Sequence, residues 1–405
     1  MPLNNVTFVL RFLLRLLISI FLLLVILIGL QYATTTIYEF EEPKPFSGQQ
    51  WLNPYQEIDS TRIKANFHAH SCAWKSVSRG SNSAEKMASC YKEKKYDIAA
   101  ISNYFCIDTV GKRNNPLYVP VYEHGLNIFK SHCLVLNAQK VSYYDYFLFQ
   151  TTSHQQKVIE NIKANDGIVA IAHPKFCGGR SLKDMKYLMH YDLVEVLNHY
   201  RISDTYWDEA LSAGRLAYLV ANDDSHSIET DETERTWTVI FSKKKTRKAA
   251  LKSLLSGKAF GVYTEYNKCK NNFEKCQLSE DRLTVKFAIP ADTIFFIGQG
   301  GSVKYRVIKS DHASYKLKTN DTYIRIVAKN YESAIYLNPV IRYDTKVPYN
   351  SLKVPKEKML QTGLFRAFVI GILYFPFRWL WRIWRPKRKG RNRLSFSKPP
   401  ILFQP

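Results

Sequence analysis

A long apolar segment near the N terminus constrains this chain more than any other feature of its sequence. Every residue from Leu16 to Gly29 is apolar or glycine except Ser19, and the apolar character extends from Phe8 to Tyr32. A helix of that length crosses the roughly 30 Å hydrocarbon layer of a bilayer. The residues that end the segment lack the small-residue pattern of a signal-peptide cleavage site. Residues 1–32 are therefore predicted to form a retained transmembrane anchor.

The charges on either side of this anchor predict its orientation. Arg11 and Arg15 lie on its N-terminal side, whereas three glutamates follow it at positions 39, 41 and 42. Because positive charge favours the cytoplasmic side of a membrane, the N terminus is expected in the cytoplasm and the bulk of the chain outside it.

A second apolar segment lies near the C terminus, at residues 362–385. Its aromatic residues are spaced like those of a membrane interface, but Arg366, Pro376 and Arg378 interrupt the apolar run. Two interpretations stay open: the segment crosses the membrane again, or it lies in the interface as a basic amphipathic helix. Crossing is preferred, because it places both termini in the cytoplasm and satisfies the positive-inside rule at both ends.

The positive charge of the chain is concentrated in this C-terminal region. Lys and Arg outnumber Asp and Glu by 58 to 35, which gives a formal charge of +23. From Arg366 to the end the sequence has ten basic residues and no acidic one. The tail at 386–405 is therefore expected to contact anionic lipid, and no nucleic-acid partner is expected.

The sequence between the two apolar segments predicts two folded domains. Over residues 61–263, short β-type runs alternate with helical stretches, a pattern typical of an α/β barrel or a doubly wound sheet. Residues 274–345 contain only short strands separated by turns, which predicts a small all-β sandwich. Residues 33–60 and 346–361 are polar and are expected to be tethers.

Histidines and carboxylates stand at the ends of the predicted strands. His68 and His70 close the first strand, where the alternation of side chains places both imidazoles on one face. Later strand ends carry the same residue types: Glu123, His132, His173, Asp224 and His226. The carboxyl ends of βα-barrel strands converge on one face, so these side chains are expected to meet. Imidazoles mixed with carboxylates suit Zn, Mn or Fe, and the pattern therefore predicts a metal centre.

These motifs, in this order, resemble the polymerase and histidinol phosphatase (PHP) family of metal-dependent phosphoesterases. The resemblance covers residues 61–263 and rests on the stretches 64–71, 100–102, 121–125, 131–134, 170–174 and 221–226. It implies a distorted seven-stranded βα barrel that hydrolyses phosphate esters with up to three divalent metals. It also implies that one ion is held by His68, His70, Glu123 and Asp224, and a second by Glu123, His132 and His173.

Two motifs depart from the family pattern. The usual Ser-Asp-Gly has its nearest match in Ser78-Arg79-Gly80, and the usual Thr-Asp-His reads Ser102-Asn103-Tyr104. Both missing residues serve the third ion in the family and leave His226 as its one remaining ligand, so a two-metal site is expected. Two interpretations of Arg79 stay open: it supplies a fixed positive charge in place of the third ion, or it is a solvated loop residue beside a decayed site.

Further residues at these strand ends are candidates for substrate binding and chemistry. Phosphate contacts are expected from Arg79, Tyr104, Lys175, Arg180, Asn198 and Arg201. Catalytic roles are expected of Asp224 and His226, and either Asp223 or His226 is expected to relay a proton to the leaving group.

These features together predict a membrane-anchored phosphoesterase that hydrolyses a phosphate ester with water activated by two divalent metal ions. The alternative is a catalytically degenerate, membrane-tethered protein that binds an anionic glycan or lipid without turnover. The metal content of the purified protein separates the two, because an enzyme should carry about two equivalents and a decayed site far less.

Overall fold

The computed structural model describes residues 3–73, 80–266, 269–344 and 354–385 of the chain. It divides into two compact units. A helical unit combines Met1–Thr34 with Leu364–Pro405, and a globular unit comprises Thr35–Gly363.

The described residues form seven α-helices and nineteen strands. The helices are α1 Leu3–Tyr32, α2 Ala84–Glu93, α3 Thr152–Lys163, α4 Leu182–Tyr187, α5 Asp204–Ser212, α6 Arg247–Leu255 and α7 Met359–Trp384. The first ten strands are β1 Tyr38–Glu39, β2 Gln50–Leu52, β3 Thr61–Asn66, β4 Ile98–Ala99, β5 Val121–His124, β6 Cys133–Leu136, β7 Ile168–Ile171, β8 Leu193–Asn198, β9 Arg201–Ile202 and β10 Tyr218–Asn222. The others are β11 Thr236–Ser242, β12 Ala259–Thr264, β13 Phe273–Ser279, β14 Arg282–Gly298, β15 Ser302–Lys316, β16 Tyr323–Asn330, β17 Ser333–Leu337, β18 Val340–Tyr343 and β19 Lys356–Glu357.

The helical unit contains α1 and most of α7, which coincide with the two apolar segments of the sequence. Both helices are long and apolar enough to be candidates for crossing a membrane. Most of their large apolar side chains are exposed.

Several helices of the globular unit begin where the sequence supplies a capping hydroxyl. Ser83, Thr151, Ser181 and Thr246 each accept a hydrogen bond from a backbone N–H of the first helical turn. Such caps satisfy N–H groups that have no partner within the helix, which explains why α2, α3, α4 and α6 begin where they do.

One sheet of the globular unit holds most of the strands expected of the α/β region. Its order is β10-β8-β7-β6-β5, and β9 pairs with β8. Strands β7, β8 and β10 are parallel, as the alternation of strands and helices predicts. The pairs β5–β6 and β6–β7 are antiparallel. No helix lies between β5 and β6, so the crossover that a parallel pair requires is missing there.

A second sheet joins the remaining α/β strands to the C-terminal strands. Its order is β13-β14-β16-β17-β12-β11-β3-β4, with β15 on β14 and β18 between β16 and β2. The sequence predicts a separate β-sandwich at 274–345. The structure instead extends this sheet into that region, because β12 pairs with β17. Phe260 of β12 consequently shares one apolar core with Phe273 and Ile294.

The seven-stranded barrel implied by the resemblance is not seen among the described strands. Strand β3 pairs with β11 and β4, so the strands of the expected barrel are divided between two sheets. Strands β3 and β10 share no ladder, but side chains connect their ends and one parallel backbone bridge follows, between Ala69 and Ser225. Asn222 Oδ1 accepts from the Phe67 N–H at 2.7 Å, and Asn66 Oδ1 accepts from the Asp223 N–H at 2.8 Å. These contacts bring the carboxyl ends of β3 and β10 together even though the sheet is not closed.

The two regions predicted to be polar tethers contain strands. Strand β1 pairs with β19, with Tyr38 opposite Glu357, and β2 pairs with β18. The backbone N–H of Lys358 also donates to the carbonyl of Ile37 at 2.8 Å. The chain therefore enters and leaves the globular unit at one place.

A buried ion pair joins α5 to the second sheet. The Arg325 guanidinium donates through Nε to Asp208 Oδ1 at 2.6 Å, and the Tyr323 hydroxyl donates to the same oxygen at 3.1 Å. Because both charged groups are buried, each depends on the other for compensation.

Candidate metal centre

The six predicted metal ligands converge where strand ends of the two sheets meet. They flank or belong to β3, β5, β6, β7 and β10, and all are buried: His68, His70, Glu123, His132, His173 and Asp224. Burial of so many titratable groups at one place is costly unless they compensate one another or bind a cation.

The carboxylate of Glu123 lies at the centre of this group. Its Oε1 lies 2.6 Å from His132 Nδ1, 3.2 Å from His173 Nε2 and 3.5 Å from His68 Nε2. Its Oε2 lies 3.2 Å from His70 Nε2. One carboxylate thus approaches four imidazoles, an arrangement suited to a ligand that bridges two ions.

Asp224 approaches two of the same histidines. Its Oδ1 lies 3.1 Å from His68 Nε2 and 3.2 Å from His70 Nε2. The two Nε2 atoms are themselves 3.2 Å apart. A neutral imidazole has one donor nitrogen and one acceptor nitrogen, so a cation would satisfy both nitrogens and the carboxylate together.

Unusual backbone conformations accompany three residues of the centre. His173 and Asp224 have φ angles of 24° and 54°, a left-handed region that non-glycine residues occupy at a cost. Gly125 has φ of 128°, and a Cβ atom there would lie 2.7 Å from His132 Cδ2. Strained residues of this kind concentrate at functional sites, which agrees with the placement of the cluster.

A buried polar network orients the ligands from behind. Glu195 Oε1 lies 3.0 Å from His68 Nδ1, and Glu195 Oε2 accepts from the His173 N–H at 2.9 Å. Asn198 Nδ2 donates to Glu195 Oε2 and to Asp224 Oδ2, both at 3.2 Å. A carboxylate behind a histidine fixes its tautomer, so Nδ1 of His68 carries the proton and Nε2 keeps its lone pair for a metal.

The charges of the cluster shift the pKa values of its members. Burial alone lowers the pKa of His68, His70 and His173, but the surrounding carboxylates outweigh burial and raise all three. Burial alone raises the pKa of Glu123 and Asp224, but the neighbouring imidazoles outweigh it and hold both pKa values well below the usual range. The histidines therefore retain protons that metal binding must release.

The set of donor atoms fits divalent cations. Ligand atoms lie within 4.8 Å of one another in four overlapping groups: His68 with His70 and Glu123, His68 with His173 and Glu195, His70 with Asp224 and His226, and Glu123 with His132 and His173. Among the described residues, Nδ1 of His132 and Oε2 of Glu123 are buried without a hydrogen-bond partner. Close approach without hydrogen-bond geometry is expected of atoms that share an ion.

A cleft of about 650 Å³ opens onto three of these ligands, His132, His173 and Asp224. The other polar side chains of its lining include Tyr104, His226 and Glu232. The apolar part of the lining, which we call the apolar wall, includes Leu126, Ile128, Phe147 and Phe176. Lys130 and Tyr200 also line the cleft. No sequence motif pointed to Lys130, Tyr200 or Glu232, although Lys130 lies two residues before the predicted ligand His132.

Three of the predicted binding and catalytic residues line this cleft: Tyr104, Asp224 and His226. The ring of Tyr104 stacks on His70 with centroids 5.1 Å apart, and the half-buried ring of His226 stacks on His70 at 4.5 Å. His226 thus lies beside His70 and Asp224, close enough to share their ligand group. Its predicted place as the one remaining ligand of the third ion stays a prediction.

Asn198 and Arg180, predicted to bind substrate, are buried behind the ligands and do not line the cleft. Arg180 donates through Nη1 to Gln155 Oε1 at 2.6 Å and through Nη2 to the carbonyl of His132 at 3.3 Å. The arginine therefore supports the loop that carries His132. The chain after β7 folds back under the site, which its basic, glycine-containing sequence did not reveal.

The remaining predicted contacts lie outside the cleft lining or outside the described residues. Lys175 and Arg201 are exposed and do not line the cleft. Arg201 donates through Nη1 to the carbonyl of Tyr200 at 2.6 Å, which directs it along the surface. Arg79 lies outside the described residues.

The positions that depart from the family motif have local partners. Asn103 Oδ1 accepts from the Ser71 N–H, and Asn103 Nδ2 donates to Ser71 Oγ, both at 2.8 Å.

Asp223, one of the two candidates for proton relay, is held by hydrogen bonds away from the cleft. It accepts from the Tyr91 hydroxyl and from the N–H groups of residues 234, 235 and 236, and burial raises its pKa to about 6. Asp223 does not line the cleft, so His226 is the better placed of the two for proton relay.

Comparisons with known proteins find few similar chains. No protein-family model matches the sequence, and no curated protein is similar to it. Among solved structures, the chain is similar to a two-domain protein from Bacteroides vulgatus ATCC 8482 that contains a predicted PHP-like metal-dependent phosphoesterase. The two share 12% sequence identity and a TM-score of 0.39, over 78% of this chain and 98% of the other. Both values are low, so function has to be inferred from the site itself.

Proposed function

We propose that this chain is a membrane-anchored phosphoesterase that depends on divalent metal ions. One observation carries the proposal: the buried carboxylate of Glu123 lies within 3.5 Å of four imidazole nitrogens, beside the second buried carboxylate of Asp224. Titratable groups with strongly perturbed pKa values at the base of a cleft are typical of a catalytic site. The order of the motifs along the sequence, which resembles the PHP family, supports the same activity.

The residues of the centre divide into two ligand sets that share a carboxylate. One ion would be held by His68, His70, Glu123 and Asp224, and the other by Glu123, His132 and His173. This mixture of nitrogen and oxygen donors suits Zn, Mn or Fe. Two such ions supply Lewis acidity toward a phosphate ester and make water nucleophilic at neutral pH.

The other side chains of the cleft would bind the substrate and hold protons. Tyr104 and Lys130 line the cleft beside the ligands, where a hydroxyl and an ammonium group can donate to phosphate oxygens. The imidazole of His226 is half-buried at the cleft surface, so it is placed to exchange a proton with the leaving group. Glu195 and Asn198 act indirectly, because they hold His68 and Asp224 in position.

We also propose that α1 and α7 anchor the chain with both termini in the cytoplasm and the globular unit outside. Arg11 and Arg15 in the N-terminal half of α1 and the glutamates after the helix support this orientation. The basic residues of 386–405 would then face the anionic lipid of the cytoplasmic leaflet.

Metal content and hydrolysis, measured on the purified full-length chain in detergent, test the proposed activity. We expect about two equivalents of bound metal, and turnover of at least one phosphate ester when Mn, Zn and Fe are supplied separately. A chelator should abolish turnover, and the effective metal should restore it. Far less than one equivalent of every metal, with no turnover, would favour the alternative of a degenerate protein that binds an anionic glycan or lipid.

A further inference from the structure

The apolar wall of the cleft continues into an exposed apolar surface. Six side chains from two loops form it, and we call them the apolar rim: Leu126, Ile128, Phe129, Phe147, Leu148 and Phe149. Each leaves 37–57% of its surface exposed to solvent. Contiguous apolar patches on a protein surface mark contacts with a ligand, a partner or a membrane.

Backbone and side-chain hydrogen bonds hold the two loops of the apolar rim together. The Ile128 N–H donates to the carbonyl of Phe147 at 3.1 Å. The Leu126 N–H donates to Asp145 Oδ2 at 2.9 Å. The apolar rim is therefore a formed surface that begins inside the cleft and extends outward from it.

The apolar rim lies close to the point where the chain enters the globular unit. The ring of Phe149 lies 6.2 Å from that of His154, and His154 Nε2 lies 3.0 Å from Thr35 Oγ1. Thr35 comes three residues after the end of α1 at Tyr32, and three residues span at most about 11 Å. The apolar rim therefore lies, within the globular unit, close to the residue that connects this unit to the proposed anchor α1.

We propose that the substrate is a phosphate monoester of a lipid alcohol, presented by a bilayer. This inference rests on the proposed function, with the phosphate at the metal ligands and the hydrocarbon along the apolar rim. The side chains of the rim are aliphatic or phenyl groups, so they offer hydrocarbon contacts and no hydrogen bonds with which to recognise a sugar or a nucleobase. Lys130 lines the cleft, and its Nζ lies 5.0 Å from the centroid of the Phe176 ring, which places a cation near the apolar wall.

The reaction is a balanced hydrolysis. Water adds to phosphorus, the bond between phosphorus and the lipid oxygen breaks, and that oxygen takes up a proton. The products are a lipid alcohol, which stays in the membrane, and inorganic phosphate, which leaves the cleft.

A pair of esters that differ only in acyl length tests the inference. The metal-loaded, full-length chain would be assayed in detergent with monomeric dibutanoyl and dihexanoyl phosphatidate, which differ by four methylenes. Full burial of all four would raise kcat/KM about 200-fold, from about fourfold per methylene. Because the rim side chains are about half exposed, we expect the longer ester to be preferred at least tenfold.

Substitutions of two exposed isoleucines locate the effect. Ile128→Ser should reduce the dihexanoyl to dibutanoyl ratio at least fivefold, whereas Ile308→Ser on β15 should leave that ratio within twofold. Ile308 is the matched control for Ile128, because 60% and 57% of their surfaces, respectively, are exposed. Metal content and thermal unfolding verify that both variants fold.

Each other outcome contradicts the inference in a distinct way. Turnover of both esters at equal rates would rule out a lipid substrate but not the phosphoesterase activity. No turnover of any ester would rule out both the lipid substrate and the phosphoesterase activity. A preference for nucleotide or sugar phosphates over the dihexanoyl ester would also overturn it. If Ile128→Ser changes the oligomeric mass but not the ratio, the apolar rim is a contact with another protein chain.

Discussion

Replacement of Glu123 by glutamine tests the metal centre most directly. The substitution preserves the size of the side chain and removes the one charge that two ions would share. Oε1 lies within 3.5 Å of three imidazole nitrogens, and Oε2 lies 3.2 Å from a fourth. The amide would bring an N–H₂ donor into a site where ions require acceptors, and its loss of charge cannot be offset by the neutral imidazoles that remain.

The expected magnitude follows from this position. Loss of a residue that only orients a metal ligand weakens metal binding by about 10- to 100-fold. Glu123 is proposed to bind both ions directly, so the loss for each ion should exceed about 100-fold, or about 2.7 kcal/mol. We expect the bound metal to fall from about two equivalents to less than about half an equivalent after dialysis, and hydrolysis to fall with it.

The assay measures metal by mass spectrometry and turnover on the same dialysed sample. Glu209→Gln is the matched control, because Glu209 is partly exposed and pairs with Lys186 at 3.2 Å away from the cleft. It should retain both ions and full turnover, since exposed ion pairs contribute little. A folded Glu123→Gln protein that keeps two equivalents of metal would refute the reasoning.

Four further predictions concern other parts of the chain. Arg325→Leu leaves the Asp208 carboxylate buried without its partner, so the free energy of unfolding should fall by about 3–5 kcal/mol; Lys186→Leu should cost less than about 1 kcal/mol in the same denaturation assay. Burial lowers the pKa of His154 to about 4, so the unfolded chain, with a histidine pKa of about 6.5, binds more protons between these values. The free energy of unfolding should therefore decrease by about 3 kcal/mol as pH falls from 6.5 to 4, and a pH titration of His154→Gln should lack that component. Arg79→Ala should leave metal content unchanged and weaken inhibition by inorganic phosphate by about 1.5–3 kcal/mol, whereas unaltered inhibition would favour a decayed third site. A reporter at Ser351 should be outside the cell membrane and one at Pro405 inside; digestion of the C-terminal tail by protease added to intact cells would contradict this topology.

The sequence predicted where the candidate site lies better than how its strands pair. Histidines and carboxylates at strand ends are a local pattern, and the structure brings all six predicted ligands together, from His68 to Asp224. Their role as ligands stays a prediction. The helices expected between the strands also occur, because capping residues such as Ser83 and Thr151 act over a single turn.

The division of the strands into two sheets depends on long-range pairing that local patterns do not carry. Strand β3 pairs with β11 rather than with β10, and β12 pairs with β17. Both pairings join segments that are far apart in the sequence, and an apolar run does not specify the strand with which it pairs. Arg180 illustrates the same limit for side chains: its place in the sequence suggested a phosphate contact, whereas its surroundings make it a support for the loop of His132.

The pairing of β1 with β19 also determines when this protein can complete its fold during synthesis. Tyr38 can pair only after Glu357 has been synthesised. The roughly 320 intervening residues take about 16 to 64 s to translate at 5 to 20 residues per second. During that interval α1 has already left the ribosome, while the residues of β1 lack their partner strand. A chain terminated before Lys356 never acquires β19, so its β1 segment stays unpaired. Proteases of the compartment would therefore be expected to remove prematurely terminated chains and to spare finished ones.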